Sequence, residues 1–327
     1  MKILISDYPD SMMPDHELEI RTLTEGLGPD VEVEVHPYSD ENRAEFYGRL
    51  ADADALLTAF VPVDDEAMGA GRNLKVVSIN ATGYDNVDLA AATARGIGVC
   101  PVGEYCTWDV SESAIAYMCA LNKHFKFYQR EIDVEHKWDY AAAPQWPRLQ
   151  DQTLGIVGFG KIGKCTARKA KGLVGRIVAT DIVGDDAVFE ELGVERVSPE
   201  ELFAQADIIV NHMNLTEDNV HYFDAAAFAA MARRPIFVNL GRGLCVDEAA
   251  LVEALDAGKL RAFGADVLYD ETPNLAASPL ADRDNVILTP HSAFYSTSSI
   301  EDLERLSCQN IVHYLKGEKD KVFKLVN

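Results

Sequence analysis

The chain has 327 residues, more than one small hydrophobic core requires and enough for two domains. With 48% apolar and 25% charged residues, its composition is that of a folded globular protein and excludes a disordered chain. The formal net charge of -23 repels phosphate backbones and anionic lipids, which argues against nucleic acid or a membrane surface as a general partner.

Six cysteines are spread along the chain without a C-x-x-C pair, so we expect reduced thiols and a cytoplasmic protein. The N-terminal residues form a strand-like segment and lack the pattern of a secretory signal peptide. No apolar run reaches the roughly 18 residues that a membrane-spanning helix needs. We expect no metal site, because the sequence has neither an H-E-x-x-H motif nor paired cysteine ligands.

Predicted strands and helices alternate through the first hundred residues. The strands are expected at 2–6, 31–35, 54–60, 75–79 and 97–100, and the helices at 15–23, 42–53 and 86–96. Such alternation favours a mostly parallel sheet, because parallel strands need long crossover connections. A long apolar helix is predicted next, over residues 109–125.

A second alternating series begins at residue 153. Its strands are expected at 153–157, 176–181, 207–212, 235–241, 262–267 and 286–290, and its helices at 161–174, 199–206, 224–232, 247–258 and 299–317. Ser198 and Glu201 form a capping box at the start of one helix, and Gly258 is well placed to end another. The sequence therefore predicts an α/β protein with two units.

A glycine-rich turn lies between the first strand and the first helix of the second series. It reads Gly158-Phe159-Gly160-Lys161-Ile162-Gly163. In this spacing the first glycine makes a tight turn, the second admits a pyrophosphate to the backbone, and the third lets helix and strand pack closely. Asp181 ends the next strand, where an acid accepts hydrogen bonds from the ribose of a dinucleotide. The segment is therefore predicted to bind a dinucleotide.

Two details of this segment bear on the ligand. Residues 158–164 also fit the start of an ATP-binding P-loop, but Cys165 stands where that loop needs Ser or Thr to hold magnesium. Asp181 would repel the 2′-phosphate of NADP, and residues 182–185 contain no cation to bind it. Both observations favour NAD.

Three polar residues follow consecutive predicted strands of the second series: Arg242, Glu271 and His291. The carboxyl ends of the strands carry the ligand crevice in a doubly wound sheet. Each residue alone has an ordinary structural explanation, as a helix cap, an exposed loop acid or a surface histidine. Their shared position at strand ends indicates a catalytic group.

At these motifs the chain resembles the D-2-hydroxyacid dehydrogenases, and most of all their D-lactate dehydrogenase branch. The matching pieces are ATGYDNVDL, GFGKIG, VNLGRG, GADVLYDE and TPHSAFYST. The resemblance implies two doubly wound parallel-sheet domains. Residues 1–100 and 297–327 would form a flavodoxin-like substrate domain, and residues 101–296 a Rossmann NAD-binding domain. It also implies NAD as cofactor and a homodimer, with the 109–127 region near the interface.

The family's catalytic triad falls on Arg242, Glu271 and His291. Arg242 would bind the carboxylate and carbonyl oxygens of a 2-oxo acid. His291 would donate a proton to the carbonyl oxygen as hydride arrives from NADH, and Glu271 would hold the imidazole and favour its protonated form. The expected reaction is reduction of a small 2-oxo acid, pyruvate-like or aromatic or branched, to the D-2-hydroxy acid.

Further family positions carry over by resemblance alone. Substrate contacts are implied at Thr82, Gly83, Tyr105, Phe294 and Tyr295, and cofactor contacts at His212, Met213, Asn214, Leu240, Gly241 and Asp266. Relatives of this family also act as NAD-sensing corepressors that bind peptides, and the triad alone does not exclude that function. The strong negative charge and the lack of disordered tails count against it.

Overall fold

The computed structural model describes residues 1–184, 186–270 and 272–327. The chain divides into two compact units. The first consists of Met1–Tyr105 and Ser296–Asn327, and the second of Cys106–Tyr295. The resemblance implies domains of residues 1–100 with 297–327 and of residues 101–296, and this domain assignment stays a prediction.

The first unit contains a five-stranded parallel sheet in the order β2-β1-β3-β4-β5. Its strands are β1 (Lys2–Ile5), β2 (Glu32–Val35), β3 (Ala55–Thr58), β4 (Val76–Ile79) and β5 (Gly98–Pro101). Its helices are α1 (Glu17–Leu27), α2 (Arg43–Leu50), α3 (Asp65–Ala70), α4 (Leu89–Arg95) and α12 (Thr297–Leu315). The strand order is that of flavodoxin-like folds, as predicted.

The second unit contains a seven-stranded parallel sheet in the order β12-β11-β10-β9-β6-β7-β8. Its strands are β6 (Thr153–Val157), β7 (Arg176–Thr180), β8 (Glu195–Arg196), β9 (Ile208–Asn211), β10 (Ile236–Asn239), β11 (Ala262–Ala265) and β12 (Val286–Leu288). Its helices are α5 (Thr107–Asn122), α6 (Phe125–Asp133), α7 (Lys161–Ala170), α8 (Asp186–Leu192), α9 (Pro199–Gln205), α10 (Ala225–Ala230) and α11 (Glu248–Asp256). The prediction of a Rossmann sheet is confirmed.

Both sheets are covered on both faces, which explains why their strands are almost continuously apolar. In β9, Ile208 and Val210 face the core that α5 and α7 cover, whereas Ile209 faces the core on the α9–α11 side. The first unit repeats this alternation: Leu4 belongs to one apolar cluster, and Ile3 to the other. Parallel pairing and burial together place the strands' carboxyl ends along one edge of each sheet.

Three helices were not predicted. The α3 and α8 segments are six and seven residues long, too short for a clear apolar period. The predicted helix over 109–125 ends at Asn122, because His124 has a left-handed backbone with φ +57°. A separate helix, α6, then starts at Phe125. The capping box of Ser198 with Glu201 is confirmed.

Among the described residues, no helix combines the length and the apolar character that crossing a bilayer would require.

Helix α12 closes one face of the first sheet and packs against α1. A Cβ atom at Gly26 would lie 2.5 Å from a methyl group of Val312, so the two helices approach closely there. Two buried carboxyl groups, Glu19 of α1 and Glu304 of α12, lie in this region. Burial, with the added repulsion of Glu19 and Asp15, raises the pKa of Glu304 to about 7. Its ionised form is therefore disfavoured in the folded chain.

We expect Glu304→Gln to stabilise the chain at alkaline pH only. The folded-state pKa of Glu304 lies above its ordinary value of 4.5, so stability falls as pH rises between the two values. The variant should raise Tm by roughly 3 to 6 °C at about pH 8.5 and by less than about 1 °C at about pH 5. Calorimetry at both pH values measures this, with Glu25→Gln on the exposed side of α1 as control. An equal gain at both pH values would contradict the prediction.

Candidate functional site

The glycine turn after β6 has the geometry that a pyrophosphate requires. Gly158 has φ +88°, and a Cβ atom there would lie 2.8 Å from backbone atoms of His212 and Met213. A Cβ atom at Gly163 would lie 2.3 Å from the carbonyl oxygen of Gly158, whereas one at Gly160 would meet no atom within 4 Å. The first and third positions are thus closed by packing, and the second leaves the backbone open to a ligand at the start of α7.

Asp181 lies beside this turn, immediately after β7. Its carboxylate accepts hydrogen bonds from the backbone N–H groups of Phe159 (2.5 Å) and Val183 (3.0 Å). The predicted ribose-binding acid is therefore tied directly to the glycine turn. Ile182 and Val183 are exposed beyond it, and Asp185 lies outside the described residues.

Two buried asparagines organise the neighbouring loops, and sequence analysis missed both. Asn211 ends β9 and Asn239 ends β10, and the Asn211 amide donates to Asn239 Oδ1 at 2.9 Å. Asn211 Oδ1 accepts from Met213 N, and Asn239 donates to the carbonyl oxygen of Arg242. The pair thus fixes the loops that carry the predicted cofactor contacts and Arg242. The available signal was an asparagine at the end of two otherwise apolar strands.

The loop of Arg242 is held by close backbone packing. A Cβ atom at Gly243 would lie 1.8 Å from the carbonyl oxygen of Leu268, so this loop touches the segment after β11. A Cβ atom at Gly241 would lie 2.7 Å from the carbonyl oxygen of Met213. Arg242 itself is half-buried and donates to the carbonyl oxygen of Gly241 at 3.0 Å. The loops after β9, β10 and β11 therefore form one packed rim.

His291 lies three residues after β12, in a strained turn. Its backbone has φ +51°, a left-handed value that is uncommon for a residue other than glycine. Its N–H group donates to the carbonyl oxygens of Asp266 (2.8 Å) and Thr289 (3.1 Å). The exposed imidazole lies edge-on to the Phe294 ring, with 6.2 Å between centroids. The fold thus holds the ring at the same sheet edge as Arg242.

Asp266 builds this turn with its side chain as well. The buried carboxylate accepts from the backbone N–H groups of Ser292 (2.8 Å) and Ala293 (2.9 Å), and from the hydroxyl of Thr289. The resemblance also implies that Asp266 contacts the nicotinamide carboxamide, and that contact stays a prediction. What the structure adds is that this carboxylate holds the backbone that directly follows His291.

His212 follows β9, where the resemblance implies a cofactor contact that stays a prediction. Burial of its ring lowers its pKa to about 3, and Nε2 bonds to Thr166 Oγ1 at 2.9 Å. The imidazole is therefore uncharged at neutral pH. Leu240 is buried in the rim and Asn214 is exposed beside it.

Of the remaining predicted site residues, Glu271 lies outside the described residues. The others fall in two places. Thr82 and Gly83 follow β4 at the carboxyl edge of the first sheet, and Tyr105 ends the first part of that unit. Phe294 and Tyr295 follow the histidine turn, with ring centroids 6.1 Å apart.

The carboxyl edge of the first sheet also presents an aromatic residue that sequence analysis did not single out. Phe60 follows β3, and its side chain is 58% exposed. Its backbone N–H donates to the buried Asp7 carboxylate, which also accepts from Ala59 N at 2.5 Å. Burial raises the pKa of Asp7. An exposed aromatic ring on a backbone fixed in this way is a candidate for substrate contact.

Within the described ranges, no cluster of three or more His, Cys, Asp and Glu side chains is arranged to hold a metal ion.

Comparison with known proteins gives concordant matches. Residues 115–293 match the family model of the D-isomer specific 2-hydroxyacid dehydrogenase NAD-binding domain. A glyoxylate reductase from Korarchaeum cryptofilum is 35% identical over 274 residues, covering 83% of this chain and 82% of the relative. A D-3-phosphoglycerate dehydrogenase from Archaeoglobus fulgidus is 32% identical over 87% of this chain, which spans 54% of that protein's length. A solved D-lactate dehydrogenase from Treponema pallidum superposes with a TM-score of 0.80 at 25% identity over 97% of each chain.

Proposed function

We propose that this chain, which belongs to the D-isomer specific 2-hydroxyacid dehydrogenase family, uses NADH to reduce a small 2-oxo acid to the D-2-hydroxy acid. The observation that carries the proposal is the histidine turn. It holds His291 at the sheet edge that also bears Arg242 and the glycine turn. The peptide-binding alternative has no comparable support, because the relatives are named as reductases and dehydrogenases.

The residues of the second unit fit NAD(H), the cofactor of this family. The open backbone at Gly160 and the start of α7 would hold the pyrophosphate, and Asp181 would accept from the adenosine ribose. When bound, the cofactor supplies the hydride and takes it back in the reverse direction. The neutral ring of His212 and the loop after β10 would also line the cofactor site.

The catalytic work of the chain is to orient an acid and move one proton. Arg242 would pair with the substrate carboxylate and the neighbouring carbonyl oxygen, because a guanidinium presents two parallel donors. His291 Nε2 or Nδ1 would donate its proton to the carbonyl oxygen and recover it in the oxidation direction. Glu271 would favour the protonated imidazole.

The substrate is proposed as a class rather than one compound. Resemblance to the D-lactate branch through TPHSAFYST favours pyruvate, while the relative at 35% identity is named for glyoxylate. Phe294 and Tyr295, which follow the histidine turn, would supply aromatic lining for the acid's side chain, which keeps branched and aromatic 2-oxo acids in the class. The test is NADH oxidation with glyoxylate, pyruvate, hydroxypyruvate, a branched 2-oxo acid and phenylpyruvate. If the protein turns over none of these acids, the proposal is contradicted.

His291→Gln should lower kcat for the best acid of this panel by about 10²- to 10⁴-fold, because glutamine cannot transfer the proton. NADH binding, measured by fluorescence titration, should change less than about twofold, since the glycine turn is untouched. The matched control is His221→Gln, which replaces another left-handed histidine of the same unit (φ +55°). Equal rates in wild type and His291→Gln would remove His291 from the mechanism.

Asp181→Ala should weaken the preference for NADH over NADPH by about tenfold, because the charge that repels a 2′-phosphate is gone. The ratio of kcat/KM for the two cofactors measures this. Any loosening of the glycine turn affects both cofactors and cancels in the ratio. Asp186→Ala is the control, since it removes a nearby exposed carboxylate. An unchanged ratio contradicts the ribose role.

We further propose a homodimer that uses the segment around α6. The apolar side of α5, expected near the interface, packs within its own unit through Ala114, Met118 and Leu121. Large apolar side chains are instead exposed just beyond it, at Phe125, Ile132, Val134, Trp138 and Tyr140. Such an exposed apolar patch suits contact with a second copy of the chain better than contact with solvent.

Light scattering should therefore give twice the 36.0 kDa chain mass. The double variant Phe125→Ser with Trp138→Ser should give the single-chain mass, because it removes two of the exposed rings. Leu275→Ser, an exposed apolar residue elsewhere in the unit, should leave the mass unchanged. A monomeric wild-type chain would refute the proposal.

A further inference from the structure

A chain of hydrogen bonds runs from helix α5 to the turn of His291. The hydroxyl of Tyr117 lies 2.6 Å from Thr289 Oγ1 and 2.9 Å from the carbonyl oxygen of Ala265. Thr289 Oγ1 in turn bonds to the carboxylate of Asp266. That carboxylate accepts from the two backbone N–H groups that follow His291. Tyr117 is thus connected to the histidine turn through Thr289 and the Asp266 carboxylate.

Each hydroxyl of this chain has a single hydrogen to donate. The Thr289 hydroxyl donates to the carboxylate of Asp266. The Tyr117 hydroxyl has two acceptors within reach of its hydrogen, Thr289 Oγ1 and the carbonyl oxygen of Ala265. Tyr117 therefore connects Thr289 to the end of β11, and removing the phenolic hydroxyl would leave the Thr289 oxygen without this partner.

The Tyr117 ring is buried in a space left by a glycine of β11. The side chain is 5% exposed, and a Cβ atom at Gly264 in β11 would lie 2.6 Å from its Cδ1 atom. Only glycine at this strand position leaves room for the ring. Burial also raises the pKa of Tyr117 and keeps the hydroxyl protonated as a donor. The position of the ring is therefore fixed by packing against β11.

We propose that Tyr117, acting through Thr289 and Asp266, is a positioning residue that sets the orientation of His291 in the proposed reaction. The proposal rests on the proposed function, because it assigns a purpose to the orientation of the imidazole. The histidine backbone has a left-handed φ and needs the surrounding bonds to stay there. A shift of well under 1 Å at the proton donor lowers the rate of transfer without touching the cofactor phosphates.

Tyr117→Phe tests this with the ring retained and only the hydroxyl lost. We expect kcat for 2-oxo acid reduction to fall about tenfold while KM for NADH changes less than about twofold. Thr289→Val should reproduce the loss, and Thr289→Ser should recover most of it, because serine restores the hydroxyl. Tyr38→Phe is the matched control: it removes another buried phenolic hydrogen bond, to Asp40 in the first unit.

A second measurement does not depend on activity. Amide hydrogen exchange of Ser292 and Ala293 should be about tenfold faster in Tyr117→Phe than in wild type, because the carboxylate that accepts from these two N–H groups loses its support. The rest of the second unit and the Tyr38→Phe variant should exchange as wild type does. Faster exchange confined to the turn supports the positioning role.

The outcomes separate the two proposals. If wild type turns over none of the acids, the proposed function fails, and exchange alone decides whether Tyr117 holds the turn. If wild type is active but Tyr117→Phe keeps its kcat and its exchange rates, the positioning role is wrong. Loss of activity in Tyr38→Phe to the same extent would overturn it too, because the effect would then be general destabilisation.

Discussion

The parallel in-register pairing of β6, β9, β10 and β11 is the constraint on which the candidate site depends. It brings the carboxyl ends of strands that are far apart in sequence to one edge. At this edge the loops pack so closely that only glycine fits at three contact points, Gly158, Gly241 and Gly243. A side chain at any of these positions would separate loops that hold the phosphate turn and the arginine. The chemistry proposed for the chain follows from this shared edge.

The fold and the glycine turn could be predicted because each leaves a local signal. Buried parallel strands are apolar on both faces, and the turn needs glycine at three fixed spacings. Asp181 followed from its position at a strand end, and the structure places its carboxylate on the turn itself. The short helices α3 and α8 gave no such period. The break at His124 depends on a backbone angle that composition does not indicate.

The support beneath the site was harder to predict, because it consists of partners distant in sequence. Asn211 and Asn239 look like ordinary polar strand ends until their amides meet. Asp266 was assigned to the cofactor by resemblance, whereas its carboxylate is observed organising the histidine turn. Tyr117 lies 172 residues before Thr289, and nothing in its apolar helix indicates that its hydroxyl reaches another strand's end. Such pairings appear only once the sheet is assembled.

The division of the chain also governs the order in which it can be completed during synthesis. The second unit is inserted between residue 105 and residue 296, so α12 reaches the first unit only after the whole insertion has been made. Until then one face of the first sheet lacks Cys308, Ile311 and Val312, which pack against its strands. When synthesis has reached the end of the inserted unit, the first sheet of the nascent chain would therefore still be covered on one face only. The apolar strands made first are the last to be shielded from water.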